Sequence, residues 1–507
     1  MARRRGGDRR PGGVRGGGGA RPSPNRGRRF SILAIAVLAI AGLAYAGVIE
    51  VSRRLSISRL PALPDLSAQP SAQQEHLRAT DAAARDAPGS AAAVGALCVA
   101  YHADLFYEQA QRCYAIVAGL GAAEWRWAYF RAILEADRGG SDAAGASLRR
   151  VLMQAPDLAA AWLRLGEAEF KAGHYDRAEE AWSRAVKATE PVRAPTGSPP
   201  HKADIPVSAY ASLGLARVLL TRNDAEPARQ ALERVTIQAP RFGSAFRLLA
   251  DSYTRLGKPA DAARAIQRAN RLPPYAPYPD PLVDELVLES RNSTFLLRQA
   301  SDADLASNAE WSEFLSRRAL EYDPDNPEVV AKLGRLLRTL GRSDEALEFL
   351  ARYSRMVPSD FQGIGQLGSC LSDLGRFDEA EPLIRQAISG LDDALSHYNL
   401  GALLSATGRF DEAVVEYQRA LDRDPSDSDA RSNLAAVLLR QGSLARASQE
   451  LTRVLALDPD NANAHTNFGL LLARQGQMAR AVEEFQAALR LNPRQRQARE
   501  ALRELGR

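Results

Sequence analysis

The sequence predicts an all-α protein: an α–α superhelical solenoid of about ten to eleven helix pairs, preceded by one N-terminal transmembrane helix. Three observations lead to this fold class. A motif of about 34 residues recurs through most of the 507-residue chain, which is typical of solenoids whose unit is a pair of helices. Prolines follow the motif at a regular distance and would end its second helix. Residues 30–49 form an apolar run without a charge.

The N-terminal region combines a basic segment with this apolar run. Residues 1–29 contain ten Arg and one Asp, whereas the rest of the chain is slightly acidic. We interpret them as a disordered cytoplasmic tail; their Arg-Gly composition resembles segments that bind RNA or anionic lipid headgroups. Lipid is the expected contact and nucleic acid is not, because the positive charge is confined to this tail.

Residues 30–49 are interpreted as an uncleaved transmembrane helix. The excess of Arg before this run places the N-terminus in the cytoplasm and the chain after residue 50 outside it. Because Arg far outnumbers Lys and Ala is abundant, we expect a single-pass protein of a bacterial inner membrane. The alternative is a signal peptide, since Ala44-Tyr45-Ala46 fits a cleavage site that would leave Gly47 as the first residue.

The repeated motif has a glycine at its centre. Gly341, Gly375, Gly408, Gly442 and Gly476 are 34, 33, 34 and 34 residues apart. A small residue follows each of them after five residues, a large apolar residue after nine and, in most units, a proline after seventeen. The pattern predicts a first helix that ends at the glycine, a tight turn, and a second helix that packs closely on the first.

These features resemble the tetratricopeptide repeat (TPR) family over about residues 92–493. Weaker units fit the same frame with Leu105, Gly139 or Asn223 at the turn, and Arg318-Ala319-Leu320 before Pro324 is interpreted as half of another unit. The resulting domains are a basic tail (1–29), a transmembrane helix (30–49), a Pro/Ser/Ala linker (50–74), an N-terminal TPR solenoid (75–274), a proline-rich joint (275–300), a C-terminal TPR solenoid (301–493) and a capping helix (494–507).

The resemblance implies a membrane-anchored scaffold or adaptor that binds a protein or an extended peptide on its concave face, in the assembly of an envelope complex. No zinc-protease, phosphate-loop, nucleophile-elbow or haem-attachment motif occurs in the sequence, so we expect no catalytic residues, no metal and no cofactor. Two alternatives stay open. One is a secreted periplasmic adaptor after signal cleavage, and the other is a non-catalytic subunit whose region 271–300 completes a site in an enzyme complex.

Candidate peptide-binding residues fall in two places. Asn399, Asn433 and Asn467 stand nine residues before the turn glycine, and a row of amides could hold a peptide backbone, as the asparagine ladder of TPR-containing O-linked N-acetylglucosamine transferases does. In the other interpretation they bridge neighbouring helices; elsewhere this slot holds Ala96, Arg164, Leu248, Lys332 and Gln366. Trp125 and Trp127 belong to a run of aromatics that cannot all face inward, and they form a candidate apolar docking patch.

Two further features allow two interpretations each. The proline-rich stretch at 271–281 is interpreted as a surface excursion, with a Tyr275/Tyr278 latch over a groove as the alternative. Cys98 is interpreted as a buried structural thiol, with a Cys98–Cys113 disulfide as the alternative if the domain is extracytoplasmic.

Overall fold

The computed structural model describes residues 25–120, 125–188, 205–273, 276–278 and 280–505. Within these ranges the chain forms 26 α-helices and no β-strand. The helices are α1 (Asn25–Arg59), α2 (Ser71–Asp86), α3 (Ala91–Ala103), α4 (Tyr107–Gly119), α5 (Trp125–Asp137), α6 (Ser141–Gln154), α7 (Ala159–Lys171), α8 (Tyr175–Lys187), α9 (Val207–Thr221), α10 (Ala225–Gln238), α11 (Gly243–Arg255), α12 (Pro259–Asn270), α13 (Pro281–Glu289), α14 (Ser293–Leu305), α15 (Ala309–Tyr322), α16 (Pro327–Thr339), α17 (Ser343–Met356), α18 (Phe361–Asp373), α19 (Phe377–Leu391), α20 (Ala394–Ala406), α21 (Phe410–Arg423), α22 (Ser428–Arg440), α23 (Leu444–Leu457), α24 (Ala462–Arg474), α25 (Met478–Leu491) and α26 (Arg496–Glu504).

Eleven helix pairs make up the solenoid in the described part of the chain, which confirms the predicted all-α solenoid. Five pairs run from α3 to α12, and six run from α14 to α25. Helix α2 precedes the first pair, the short helix α13 lies between the fifth and sixth pairs, and α26 follows the last pair. We call the two helices of each pair the first helix and the second helix.

The turn inside each pair requires a left-handed backbone. Eight of the eleven turns have a glycine with positive φ, which costs glycine little because it has no side chain. Leu105 (φ 68°) and Asn223 (φ 65°) take this conformation at the two positions where the repeat frame placed them. Ser307 (φ 56°) is the third non-glycine turn, and it completes the unit that the sequence showed only in half.

The C-terminal first helices begin at a recurring polar cap. Asn326, Asp360, Asp393, Asp427 and Asn461 each accept a hydrogen bond from a backbone N–H in the first turn of the following helix. Such caps satisfy amide groups that have no partner within the helix. The local sequence therefore sets the start of each of these helices, and the turn glycine sets its end.

Close packing within a pair depends on small residues facing large ones. A Cβ added to Gly166 on α7 would lie 2.4 Å from the indole nitrogen of Trp182 on α8. Trp182 is buried, and its Nε1 donates a hydrogen bond to the carbonyl oxygen of Leu163 at 3.2 Å. A residue larger than glycine at position 166 would therefore push the two helices apart.

A disulfide joins the first pair. Cys98 on α3 and Cys113 on α4 are bonded, with their Cα atoms 5.2 Å apart. The interpretation of Cys98 as a free structural thiol is therefore wrong, because the left-handed turn at Leu105 brings the two cysteines face to face. Cys370 is free and buried, and burial raises the pKa of its thiol to about 11.

The predicted transmembrane segment lies within α1. The backbone of residues 30–49 is helical, while the side chains of residues 25–40 and 42 lie outside the described part, as does the tail up to residue 24. Among the described residues, no helix carries an apolar stretch long enough to cross a bilayer. The structure therefore gives no support to the anchor.

Candidate functional site on the concave face

The first helices of consecutive pairs are neighbours along the C-terminal solenoid. Helix α16 contacts α18, α18 contacts α20, α20 contacts α22 and α22 contacts α24. In helix-pair solenoids this inner layer lines the concave binding surface. We call the surface formed by these five first helices the C-terminal concave face, and the position nine residues before each turn residue the slot.

Two of the three slot asparagines bridge neighbouring first helices. The Asn433 side-chain amide donates a hydrogen bond to the hydroxyl of Tyr398 at 3.1 Å, and the Asn467 amide donates to the carbonyl oxygen of Ser432 at 3.3 Å. Asn399 is half-buried and makes no hydrogen bond through its side chain to another described residue. This geometry agrees with the interpretation in which the asparagines bridge neighbouring helices. It leaves donor and acceptor capacity on the Asn433 amide, since one bond uses one of its N–H groups. The Asn467 amide is buried and also donates to the hydroxyl oxygen of Ser432 at 3.4 Å.

The remaining slots of this face carry other polar side chains. Lys332 forms an ion pair with Asp304 of the preceding first helix. Gln366 accepts a hydrogen bond from Arg338 at 3.3 Å, and Arg338 also contacts Asp373 at 2.7 Å. Each slot thus presents a polar group, and the one charged slot, Lys332, lies at the end nearest α14.

The floor beside the slots of α18, α20 and α22 consists of small residues. Ser369, Ala402 and Ala436 lie three residues after their slots, on the same side of the first helices. The Ser369 hydroxyl donates a hydrogen bond to the carbonyl oxygen of Gly365 at 2.9 Å. Small side chains here let the backbone of a bound segment approach the amides.

The N-terminal first helices contact a different partner, the chain's own joint. We call residues 276–278 and 280–291 the groove segment. Tyr278 stacks edge-on against Tyr210 of α9 (5.7 Å between ring centres), and Tyr210 donates a hydrogen bond to the carbonyl oxygen of Pro277 at 2.9 Å. Further along, Glu285 pairs with Arg126 of α5, and Ser290 donates to the carbonyl oxygen of Ala103 at the end of α3 at 3.0 Å. The groove segment therefore passes α9, α5 and α3 in turn, against the order of the repeats.

Asp280 is the centre of this contact. The residue is 2% exposed, and its carboxylate accepts hydrogen bonds from Nε of Arg164 at 2.7 Å and from the hydroxyl of Tyr129 at 2.5 Å. Its other oxygen accepts the backbone N–H groups of Leu282 at 3.1 Å and Val283 at 3.4 Å, so Asp280 also caps α13. Burial and the nearby carboxylate raise the pKa of Tyr129, which keeps its hydroxyl protonated as a donor.

The expectation of a surface excursion at 271–281 is therefore wrong for residues 276–278 and 280, which contact the chain's own helices. Leu282 and Leu286 are buried in the same core cluster as Tyr129, and Tyr278 packs against it. Tyr278 thus contacts the groove as the latch alternative required, while Tyr275 lies outside the described residues. Helix α13 begins at Pro281, because the proline ring suits the first helical position.

Trp125 and Trp127 are half-buried beside this cluster. Trp125 packs edge-on against Tyr129, with ring centres 6.5 Å apart. Trp127 fills the space over Gly95 of α3, where an added Cβ would lie 2.5 Å from its ring. Both indoles keep part of their surface accessible, and a docking role for them stays a prediction.

The groove segment ends at a buried carboxylate. Asp104 accepts hydrogen bonds from the backbone N–H of Arg291 at 2.8 Å and from the hydroxyl of Ser290 at 3.3 Å. Burial raises the pKa of Asp104 to about 7, although these hydrogen bonds work in the opposite direction. This junction joins the two solenoids, because α14 begins at Ser293 and α15 packs near α2.

Sequence reasoning had not identified Asp280, Tyr129 or Asp104 as contact residues. One signal was present: Arg164 occupies the asparagine slot, and a charged residue there requires a charged or polar partner. The described residues contain no group of three or more metal-ligating side chains close enough to hold a metal ion.

Two family models, both described as tetratricopeptide repeat, match the chain. One matches residues 313–364, 404–466 and 438–505. The other matches residues 131–199, 163–240, 213–277 and 366–428. Together they span more than half of the chain, and the chain belongs to the tetratricopeptide repeat family.

Solved structures are similar to this chain at low sequence identity and low TM-score. Yeast Tom70 is 14% identical, over 81% of this chain and 94% of its own, with a TM-score of 0.34. Pseudomonas aeruginosa pilF is 17% identical, over 42% of this chain and 97% of its own, with a TM-score of 0.36. YrrB, described as a TPR protein with an unusual peptide-binding site, is 22% identical, over 37% and 97%, with a TM-score of 0.29. A search of curated proteins finds no match.

Proposed function

We propose that the protein is a scaffold that binds an extended segment of a partner protein along its C-terminal concave face. The observation that carries this proposal is the unbroken row of polar slots from Lys332 to Asn467, with a floor of small residues beside the three central slots. First helices lie about 8–10 Å apart and an extended chain rises about 3.3 Å per residue. A bound segment would therefore meet one slot about every third residue.

The contrast between the two solenoids supports this choice of face. The chain's own groove segment covers the N-terminal first helices, whereas no described element covers the slots of α18, α20 and α22. Arg164 supplies a second argument, because it occupies the same slot in its repeat and binds Asp280 of the groove segment. A slot side chain thus reaches a segment that lies in the groove.

The test uses peptides selected from a displayed random library for binding to the full chain. Replacing Asn399, Asn433 and Asn467 together with Ala should weaken these peptides at least tenfold in isothermal titration. The matched control replaces three exposed glutamines of the second helices, Gln386, Gln418 and Gln449, with Ala. If the triple asparagine variant keeps full affinity while folded, the slots do not bind peptide.

We also propose that the solenoid lies outside the cytoplasm, anchored by residues 30–49, and acts in assembly of an envelope complex. The basic residues of the 1–29 tail would lie against anionic lipid headgroups on the cytoplasmic side. The Cys98–Cys113 disulfide supports this location, because structural disulfides persist in oxidising compartments. Retention of the full-length chain in carbonate-washed membranes would agree with the anchor.

The second candidate is a secreted periplasmic adaptor, favoured by the cleavage pattern at Ala44-Tyr45-Ala46. A soluble product whose N-terminal sequence starts at Gly47 would favour the secreted adaptor over the anchored scaffold. A role of region 271–300 in completing an enzyme site is disfavoured, because Asp280, Leu282 and Leu286 within it are buried against the chain's own helices.

A further inference from the structure

We propose that the N-terminal concave face is a binding site for an acidic Asp-Pro-initiated helix, and that the groove segment occupies this site as an intramolecular ligand. The site is distinct from the C-terminal concave face, so the proposal does not depend on the function proposed above. The partner it fits is a protein segment with a tyrosine, then Asp-Pro, then a short helix with leucines two and six residues after the aspartate.

Selection for aspartate follows from the donors around Asp280. One oxygen faces the guanidinium of Arg164 and the hydroxyl of Tyr129, and the other faces the first backbone N–H groups of α13. Asparagine would bring an uncharged group to Arg164. Glutamate would move the carboxylate away from the cap position, which short side chains prefer. Aspartate satisfies both sides at once.

Apolar anchors flank this carboxylate. Leu282 and Leu286 are four residues apart on one side of α13, and both are buried against the N-terminal core. Tyr278 lies on the other side of Asp280, against Tyr210. Anchors of this kind, in pockets around a central charge, are typical of segments that bind in a groove.

Charge complementarity extends along the segment. Glu285 pairs with Arg126, and Glu289 lies 3.4 Å from Nε2 of His76 on α2. The groove segment therefore presents carboxylates to the guanidinium groups of α5 and α7, while Glu289 lies beside the imidazole of His76, whose pKa is lowered by burial. A basic or neutral segment would not satisfy these side chains.

The covalent link between the groove segment and the N-terminal solenoid explains why the chain itself fills the site. A segment joined to its binding site by a short linker has an effective concentration in the millimolar range. An external segment of equal intrinsic affinity therefore competes poorly until the internal one is weakened. Weakening the groove segment without changing the face should open the site.

The experiment uses the full chain and a fluorescein-labelled peptide with the sequence of residues 276–291. Asp280→Asn in the chain weakens the groove segment and leaves Arg164 and Tyr129 in place. By fluorescence anisotropy, we expect the peptide to bind the Asp280→Asn chain at least tenfold more tightly than the wild-type chain. Asp325→Asn is the matched control, because Asp325 is 93% exposed and pairs with Arg352 on the surface; it should bind like wild type.

Two further variants define the outcome. A peptide with Asn at the position of residue 280 should lose the gain, as should a chain carrying Arg164→Met together with Asp280→Asn. Glu285→Arg is a milder change at a partly exposed ion pair, and it should raise peptide affinity about threefold. It replaces Asp280→Asn as the test if that variant does not fold. Circular dichroism checks folding of each chain. Folded Asp280→Asn and Glu285→Arg chains that bind the peptide no better than wild type would overturn the proposal.

Discussion

Arg164→Met should destabilise the N-terminal solenoid through the aspartate that it leaves behind. Arg164 is 30% exposed, whereas the Asp280 side chain is 1% exposed and loses the guanidinium that pairs with it. Methionine has a similar length and preserves the apolar contacts of the arginine stem. The variant therefore isolates the loss of the guanidinium from the loss of packing.

The magnitude follows from what remains around Asp280. Removing one partner of a buried ion pair costs about 3–5 kcal/mol. Asp280 retains the Tyr129 hydroxyl and two backbone N–H donors, and the site is not fully closed to water at Arg164. We therefore expect a loss of about 2–3 kcal/mol in the free energy of unfolding, the value of one to two hydrogen bonds to a charged group.

Tryptophan fluorescence during urea titration measures this loss. Four of the five tryptophans lie in the N-terminal solenoid, so the signal reports mainly on this half of the chain. Arg222→Met is the control, because Arg222 contacts Asp176 and Glu179 at the surface and should leave the midpoint near that of the wild type. If Arg164→Met moves the midpoint no further than Arg222→Met does, the buried pair does not hold the groove segment.

Three other predictions concern the repeat, the junction and the disulfide. A Cβ at position 469 would lie 2.6 Å from the ring of Phe485, so Gly469→Ala should cost about 1–3 kcal/mol in thermal unfolding by circular dichroism. Burial raises the pKa of Asp104 to about 7 in the folded chain. The stabilisation that comes from its protonated form is therefore full below about pH 4 and is lost as the pH rises through 7. Urea midpoints measured from pH 5 to 8.5 should fall more for the wild type than for Asp104→Asn. The Cys98–Cys113 bond closes a loop with a sequence separation of 15, so its reduction should cost about 3 kcal/mol.

Each of these predictions has a result that contradicts it. Gly469→Ala with an unchanged melting temperature would mean that α24 and α25 have room between them. Parallel pH curves for wild type and Asp104→Asn would remove Asp104 as the titrating group. Thiol blocking in denaturant should label one cysteine before reduction and three after it; three labels before reduction would exclude the disulfide.

The repeat frame could be predicted because its contacts are local. A turn residue, the small residue five positions later and the large residue nine positions later all act within one helix pair. The same reasoning placed Leu105 and Asn223 at left-handed turns although neither is glycine. Ser307 escaped notice because its unit also has Ser312 where the small residue is usually alanine, and Ser312 is buried.

The asparagine slots illustrate the limit of a pattern. Their spacing placed Asn433 and Asn467 on one line, but two interpretations of that line remained open. The hydrogen bonds to Tyr398 and Ser432 depend on how far apart neighbouring first helices stand, and a repeat period does not specify this distance. Peptide binding by these residues stays a prediction.

The sequence by itself determined the solenoid: the number of helix pairs, their turns and their caps follow from signals within about 34 residues of one another. Only the tertiary structure decided where the proline-rich joint lies. Its contacts join residues far apart in the chain, such as Tyr129 with Asp280 at a separation of 151 and Ala103 with Ser290 at 187. No period links such positions, because the curvature of the stacked pairs, which sums many small rotations, sets which side chains meet across the groove.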